Sequence, residues 1–305
     1  MEKKDVAAVS AGLAAVSLSN ETPANQEEDD DDSSLFAEPP PQPDCVICML
    51  PLPIDPELVT YSTCCGKILC GGCSFMHQKS IYITNKKRLA KARKEHTEPP
   101  PLLEMTCPFC RVPVPDDSSP EEKNRENLTR LQKRANSGDA EALKNMALHY
   151  KDGSLGLPKD EGKFMEMALR ASSLGIAEAH YELATVFLDE AKFTPTDLSM
   201  ARVYLKKAAK GGHILSHHKL GAIERVMGHE KRAVRHWRIA AAAGHKPSAD
   251  FLVECFQDGL ITKESLEESM RARYDASKAF RSEERDQHFE YVKSHGEAND
   301  AKSYC

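Results

Sequence analysis

Between Asp139 and Gly259 the apolar positions fall at helical spacing and then recur as a unit. Met146 and Ala147 return as Leu183 and Ala184 after 37 residues, as Leu220 and Gly221 after another 37, and as Leu252 and Val253 after 32. One turn further on stand Tyr150, Phe187 and Phe256, with Glu224 at that place in the third copy. A second helix follows in the first three copies, where Ala171, Ala208 and Ala240 lie shortly before Gly175, Gly212 and Gly244. The glycines predict left-handed helix stops and the alanines a close helix crossing. A period of this length reads as stacked helix pairs, none of which can bury its apolar stripe alone.

Flanking patterns extend the helical part. One helix is predicted from near Glu121, after Pro113, Pro115 and Pro120. Another is predicted after Thr262, a suitable cap, with Leu266, Met270, Tyr274, Ser277 and Phe280 or Arg281 along one side. It is expected to cover the open end of the stack, since a terminal repeat must present a polar outer face.

The repeated pattern resembles the Sel-one-like repeats, a relative of the tetratricopeptide family, over about 139–260. The aromatic pair favoured by that family is partly kept, at Tyr204 and Trp237, whereas the first copy has Met167 and Ala168. The third copy lacks the insert between helices that the first two carry. The resemblance implies an α-solenoid whose curved face binds a protein substrate or scaffold.

Cysteines change the picture upstream. Eight of the ten fall between residues 45 and 110, as the C-x2-C pairs Cys45/Cys48, Cys70/Cys73 and Cys107/Cys110, with Cys64 and Cys65 adjacent between the first two pairs. A two-residue spacer lets one turn aim both sulfurs at a single ion, and eight thiolates are what two tetrahedral zinc ions need. Paired cysteines at this spacing point to metal in a reducing compartment rather than to disulfides.

Order and spacing resemble the RING-type zinc finger, above all in the run Cys65-Gly66-Lys67-Ile68-Leu69-Cys70. The resemblance implies a cross-brace, with Cys45, Cys48, Cys70 and Cys73 on one zinc and Cys64, Cys65, Cys107 and Cys110 on the other. No histidine ligand is present; Lys67 stands where one often falls, and His77 is the reserve should two adjacent cysteines be too tight for one ion. RING-type ubiquitin ligases dock a ubiquitin-charged conjugating enzyme on a shallow apolar groove. Ile47 and Pro108 match its usual positions, with Val46, Leu50 and Phe109 beside them, although the same residues also suit the packing of a tiny core. Arg111 follows the last cysteine, where such ligases carry a cationic linchpin between enzyme and ubiquitin.

These readings give a mainly α chain. A disordered acidic and Pro-rich tail is expected over 1–43, a zinc finger over 44–116 with a basic insert at 74–106, a linker or helix over 117–138, repeats over 139–260, and a capping helix and tail over 261–305. Formal net charge is −6, which argues against nucleic acid as the partner. The basic residues Lys86, Lys87, Arg88, Lys91, Arg93 and Lys94 read as a solvated helix face, ended by Pro99, Pro100 and Pro101. No apolar run suits a membrane span, so a cytoplasmic or nuclear protein is expected. The expected function is ubiquitin ligation with repeat-based recruitment; a noncatalytic zinc-finger adaptor is the alternative. A chromatin-reading PHD finger is disfavoured, because Met105 stands where that fold has an aromatic residue. His213, His217, His218, Trp237 and Cys255 show no ligand spacing and are assigned to helix packing.

Overall fold

A computed structural model describes residues 32–114, 119–188 and 195–295. Most of the segment expected to be disordered, and the end of the C-terminal tail, lie outside these residues. Eleven α-helices and one two-stranded sheet are found among the described residues.

The cysteine-rich part is small and built from turns. Strands β1 (Val59–Ser62) and β2 (Lys67–Cys70) pair antiparallel, with Val59 opposite Cys70 and Ser62 opposite Lys67. Two turns of one design flank this hairpin in sequence. In the first, Cys45 N–H donates to Leu50 O at 2.9 Å and Met49 N–H to Cys45 O at 2.9 Å; in the second, Cys107 N–H donates to Val112 O at 2.8 Å and Arg111 N–H to Cys107 O at 3.0 Å. Each turn places the residue after its second cysteine in the left-handed region, Met49 at φ 55° and Arg111 at φ 63°. That conformation strains a side chain other than glycine, and the repeated hydrogen bonds over-determine it.

Cys70 ends β2 and caps the next helix, its sulfur accepting from Cys73 N–H at 3.4 Å. This helix, α1, spans Gly71–Glu95, 25 residues, so the basic insert is helical for most of its length. Its own sequence gives it little burial: Gly71, Gly72, Ser74 and Ala92 alone are buried. Helix formers such as Lys, Arg and Ala carry the exposed part. The returning segment is held by Asn85, whose side chain donates to Leu103 O at 2.9 Å and accepts from Leu103 N–H at 2.8 Å.

The helical part begins with α2 (Pro120–Asn136), opened by a capping box between Ser119 and Glu122. Three helix pairs follow: α3 (Ala140–Asp152) with α4 (Glu161–Ser173), α5 (Ala177–Phe187) with α6 (Pro195–Lys210), and α7 (Ile214–Val226) with α8 (Glu230–Ala242). Each helix packs mainly on its neighbours in sequence, the arrangement of a solenoid. Gly175, Gly212 and Gly244 have φ of 89°, 87° and 102°, the left-handed stops the repeat pattern predicts. Ala171, Ala208 and Ala240 are fully buried at the crossings. Gly221 replaces the alanine of the earlier copies because the Trp237 indole occupies the space a Cβ needs.

Past α9 (Lys246–Gln257), helix α10 (Lys263–Ala279) lies over the last pair; Thr262 caps it, and Leu266 and Met270 pack on the cluster of Trp237, Leu252 and Cys255. The final helix, α11 (Glu283–His295), returns to α1 at the cysteine-rich part. The pair Gly71 and Gly72 permits that approach: a Cβ on Gly72 would lie 2.9 Å from the backbone of Arg285, and one on Gly71 would meet the His288 ring. Phe75 then packs on His288 and Tyr291, with ring centroids 5.7 and 5.0 Å apart.

The stretch 32–43, read from sequence as part of the disordered tail, is described, and it touches the array through Leu35, Phe36, Pro40 and Gln42. A 3-10 turn over Asp32–Phe36 buries Leu35 in the array. Among the described residues no helix is long and apolar enough to cross a membrane.

Candidate metal centre

The eight clustered cysteines come together as two sets of four. Cys45, Cys48, Cys70 and Cys73 form one, and Cys64, Cys65, Cys107 and Cys110 the other; within each set all sulfurs lie within 4.8 Å of one another. Specific pairs stand at 3.8 Å for Cys48 and Cys70, 3.9 Å for Cys65 and Cys107, and 3.4 Å for Cys64 and Cys110. A tetrahedron with metal–sulfur bonds of about 2.3 Å has edges of about 3.8 Å, so the donors are spaced to share one ion per set. The neighbours Cys64 and Cys65 both belong to the second set. His77 belongs to neither; its Nε2 pairs with Thr106 Oγ1 at 3.1 Å.

The protonation chemistry suits a cation. Burial opposes ionisation of Cys45 and Cys107, yet backbone N–H donors from Cys70, Cys48 and Ile47, and from Cys110 and Phe109, bring both thiols down to about 7. Burial, together with sharing hydrogen bonds and charge with neighbouring sulfurs, pushes Cys64 and Cys73 upward. Four sulfurs this close cannot all ionise without a positive charge among them, and a divalent ion with soft thiolate ligands meets that need. Both sets therefore fit a thiophilic dication.

Each set is clamped by an arginine from a different end of the helical array. Arg285 of α11, 8% exposed, donates to Pro51 O at 2.8 Å, Leu50 O at 3.2 Å and Phe280 O at 3.0 Å, and reaches Cys48 Sγ at 3.4 Å. Arg134 of α2 donates to Thr63 O at 2.9 Å and Cys64 O at 3.0 Å, and pairs with Asp139 at 3.2 Å. Asp139 also accepts from Tyr61 O–H at 3.1 Å. Sequence reasoning did not find these two arginines: each is one basic residue in a charged helix, with no spacing to mark it. The glycine pair at 71–72 was the available signal that something packs closely there.

Beside the sulfur sets the surface is apolar. Val46, Ile47, Met49, Phe109 and Val112 are exposed, Ile47 at 41% and Phe109 at 44%, while Pro108 is half-buried. Lys67 stands 5.8 Å above the Phe109 ring. Arg111 is exposed and lines a shallow groove of about 490 Å³ with His77, Ile81, Leu102 and Leu103. Burial first, and the Arg111 charge second, hold the His77 imidazole below its ordinary pKa.

Some histidines of the array lie in its core and others make polar contacts, as His218 does with Ser248 and His245 does in capping α9. His217 and His236 are buried with their Nδ1 atoms 3.1 Å apart, Trp237 stacks on Phe251 at 4.8 Å, and Cys255 is fully buried. Among the described residues no ligand group beyond the two cysteine sets comes together.

Comparison with known proteins bears on the array. Residues 140–176, 177–213 and 220–245 match the Sel1 repeat, so this part of the chain carries Sel1 repeats. No curated protein matches the chain in sequence. Among solved structures, it is similar to a Sel1 repeat protein from Oxalobacter formigenes, at 23% identity over 52% of this chain and 65% of that one, with a TM-score of 0.43. A protective antigen of uropathogenic Escherichia coli strains displaying an SLR fold matches at 16% identity over 59% of this chain and 45% of that one, with a TM-score of 0.40. The chain thus spans less than two thirds of either protein. The Sel1 matches leave residues 45–110 outside them.

Proposed function

We propose that the chain is a RING-type protein holding two zinc ions, and that it acts as a ubiquitin-protein ligase: the cysteine-rich part docks a ubiquitin-charged conjugating enzyme and the Sel1 repeats recruit a protein partner. One observation carries the reading, the interleaving of the sulfur sets. The first and third pairs in sequence share one set, and the second and fourth share the other, which is the cross-brace order. Zinc supplies the crosslink that a part with so small a core needs to stay folded.

The chain contributes no nucleophile or general base to such a reaction. Its contribution is orientation, holding a thioester in a reactive pose and so lowering the entropic share of the barrier. Exposed Val46, Ile47, Met49 and Phe109 beside half-buried Pro108 offer the apolar contact. Arg111 stands free of that contact on a turn whose backbone is fixed, and its planar guanidinium suits bridging two carbonyl groups.

The test is ubiquitin-chain formation by the full chain with activating enzyme and a panel of conjugating enzymes, read beside its zinc content. Two zinc ions per chain, with chain formation that Ile47→Ala abolishes, support the ligase. Two zinc ions and no transfer with any conjugating enzyme assign the adaptor role instead. Fewer than two ions overturn the zinc reading itself.

A further inference from the structure

Residues 32–42 lie on the repeat array as a bound peptide would. The Asp32–Phe36 turn contacts α6 and α8. Leu35, 1% exposed, fills a slot walled by Ala184, Leu205, Ala209, Leu220 and Ile223. The Phe36 ring lies next to it, 4.6 Å from the His236 ring and 3.8 Å from the Arg235 guanidinium, with that of Arg232 at 5.8 Å. Further along, Pro40 packs on Gly212 closely enough that a Cβ there would lie 2.7 Å from it, and Gln42 donates to Gly212 O at 3.2 Å.

At the receiving face the repeats depart from their own pattern in a buried position. Glu224 stands where the other copies have Tyr150, Phe187 and Phe256, and it is fully buried. Arg202 at 2.9 Å, Arg232 at 3.2 Å and His229 at 2.8 Å surround its carboxylate. One buried acid therefore gathers basic side chains at this face, and exposed Arg235 adds to them. Two serines ahead of Leu35, the sequence carries Glu27, Glu28 and the four aspartates 29–32. The Phe36 ring against the guanidinium groups is a cation–π contact, and an acidic run this near in sequence is opposite in sign to the basic side chains of the face.

We propose that this face is a binding site for acidic protein segments carrying a Leu-Phe pair, and that the chain's own residues 32–42 fill it until a partner displaying such a segment displaces them. The proposal deepens the reading of the repeats as the recruiting surface and rests on it. A segment of the same chain competes at the high local concentration its covalent connection imposes, so the resting chain binds such partners weakly and release raises affinity.

The test uses the full chain and a fluorescent peptide of residues 27–42, with no ubiquitin component present. Leu35→Ala/Phe36→Ala protein is expected to bind the peptide about ten-fold or more tightly than the unaltered chain does. A peptide with alanine at both positions is expected to bind neither protein. A second readout does not depend on the variant folding: in the unaltered chain, excess peptide should speed hydrogen exchange of the amides over 34–42 as the segment leaves. Equal binding by the two proteins, equal binding of the two peptides, or unchanged exchange under saturating peptide overturns the proposal. None of these outcomes touches the ligase reading, which the conjugating-enzyme assay decides separately.

Discussion

The guanidinium of Arg285 meets the sulfur of Cys48 at 3.4 Å across a separation of 237 residues. The same side chain satisfies the carbonyls of Leu50 and Pro51 in the turn behind that cysteine. Charged donors near thiolate ligands orient them and offset their charge, and carbonyls in so small a part have few other donors.

Arg285→Ala is therefore expected to remove the donor to Pro51 O and one of the two donors to Leu50 O, and to cost about 1–3 kcal/mol. Zinc should still bind but exchange faster. Denaturant unfolding and the rate of zinc release to a chelating dye measure the two effects; unchanged values for both would reduce Arg285 to a surface contact.

Removal of metal should unfold the part between Asp44 and Val114 while sparing most of the helical signal. The array's three apolar clusters contain one cysteine, Cys255, and it is not among the sulfur sets. Circular dichroism with hydrogen exchange before and after chelation reads this, and loss of the array together with the cysteine-rich part would show that the two fold as one cooperative unit.

Acid should destabilise the array between about pH 6.5 and 4. Burial depresses the imidazoles of His213, His217 and His218 to about 4. Each is neutral when folded and takes up a proton when unfolded in that interval, so the stabilisation is complete above pH 6.5 and is lost as pH falls toward 4. Each contributes up to about 1.4 kcal/mol per pH unit. Urea midpoints across the range are expected to fall steeply, and less so for His217→Gln.

Arg111→Ala is expected to retain both zinc ions while slowing ubiquitin discharge about ten-fold, equivalent to about 1.4 kcal/mol of barrier. Stopped discharge assays with a charged conjugating enzyme, beside metal analysis, provide the check. Discharge at the unaltered rate would remove Arg111 from the mechanism.

The repeats are legible in the sequence because each copy must bury the same stripe against the next: the Met146, Leu183, Leu220 and Leu252 positions recur, and the three glycines stop their helices where the spacing says. Three of the four cysteine pairs are legible because two-residue spacers bring their sulfurs together locally, whereas the sharing of pairs between two sets was implied only by the RING resemblance. What escapes is the contact between distant segments. The basic face of helix α1 was legible, but its full extent was not, since the helix is short of buried positions and long in charged ones and so lacks an apolar period. Leu35 and Phe36 sit in a stretch whose composition reads as unfolded, because a single Leu-Phe pair adds little to a window of acids and prolines. Glu224 was visible as a departure from the pattern; its partners Arg202, His229 and Arg232 needed the structure to be seen.

The clamps by Arg134 and Arg285 tie the cysteine-rich part to the first and the last helices of the array. An ordinary solenoid has two loose ends and grows or shrinks by whole units with little penalty. Here the chain is a bow already strung, and dropping a single pair from the middle would carry one anchor out of reach of its target. Repeat number in this protein is thus a measured length, set by the distance between two arginines.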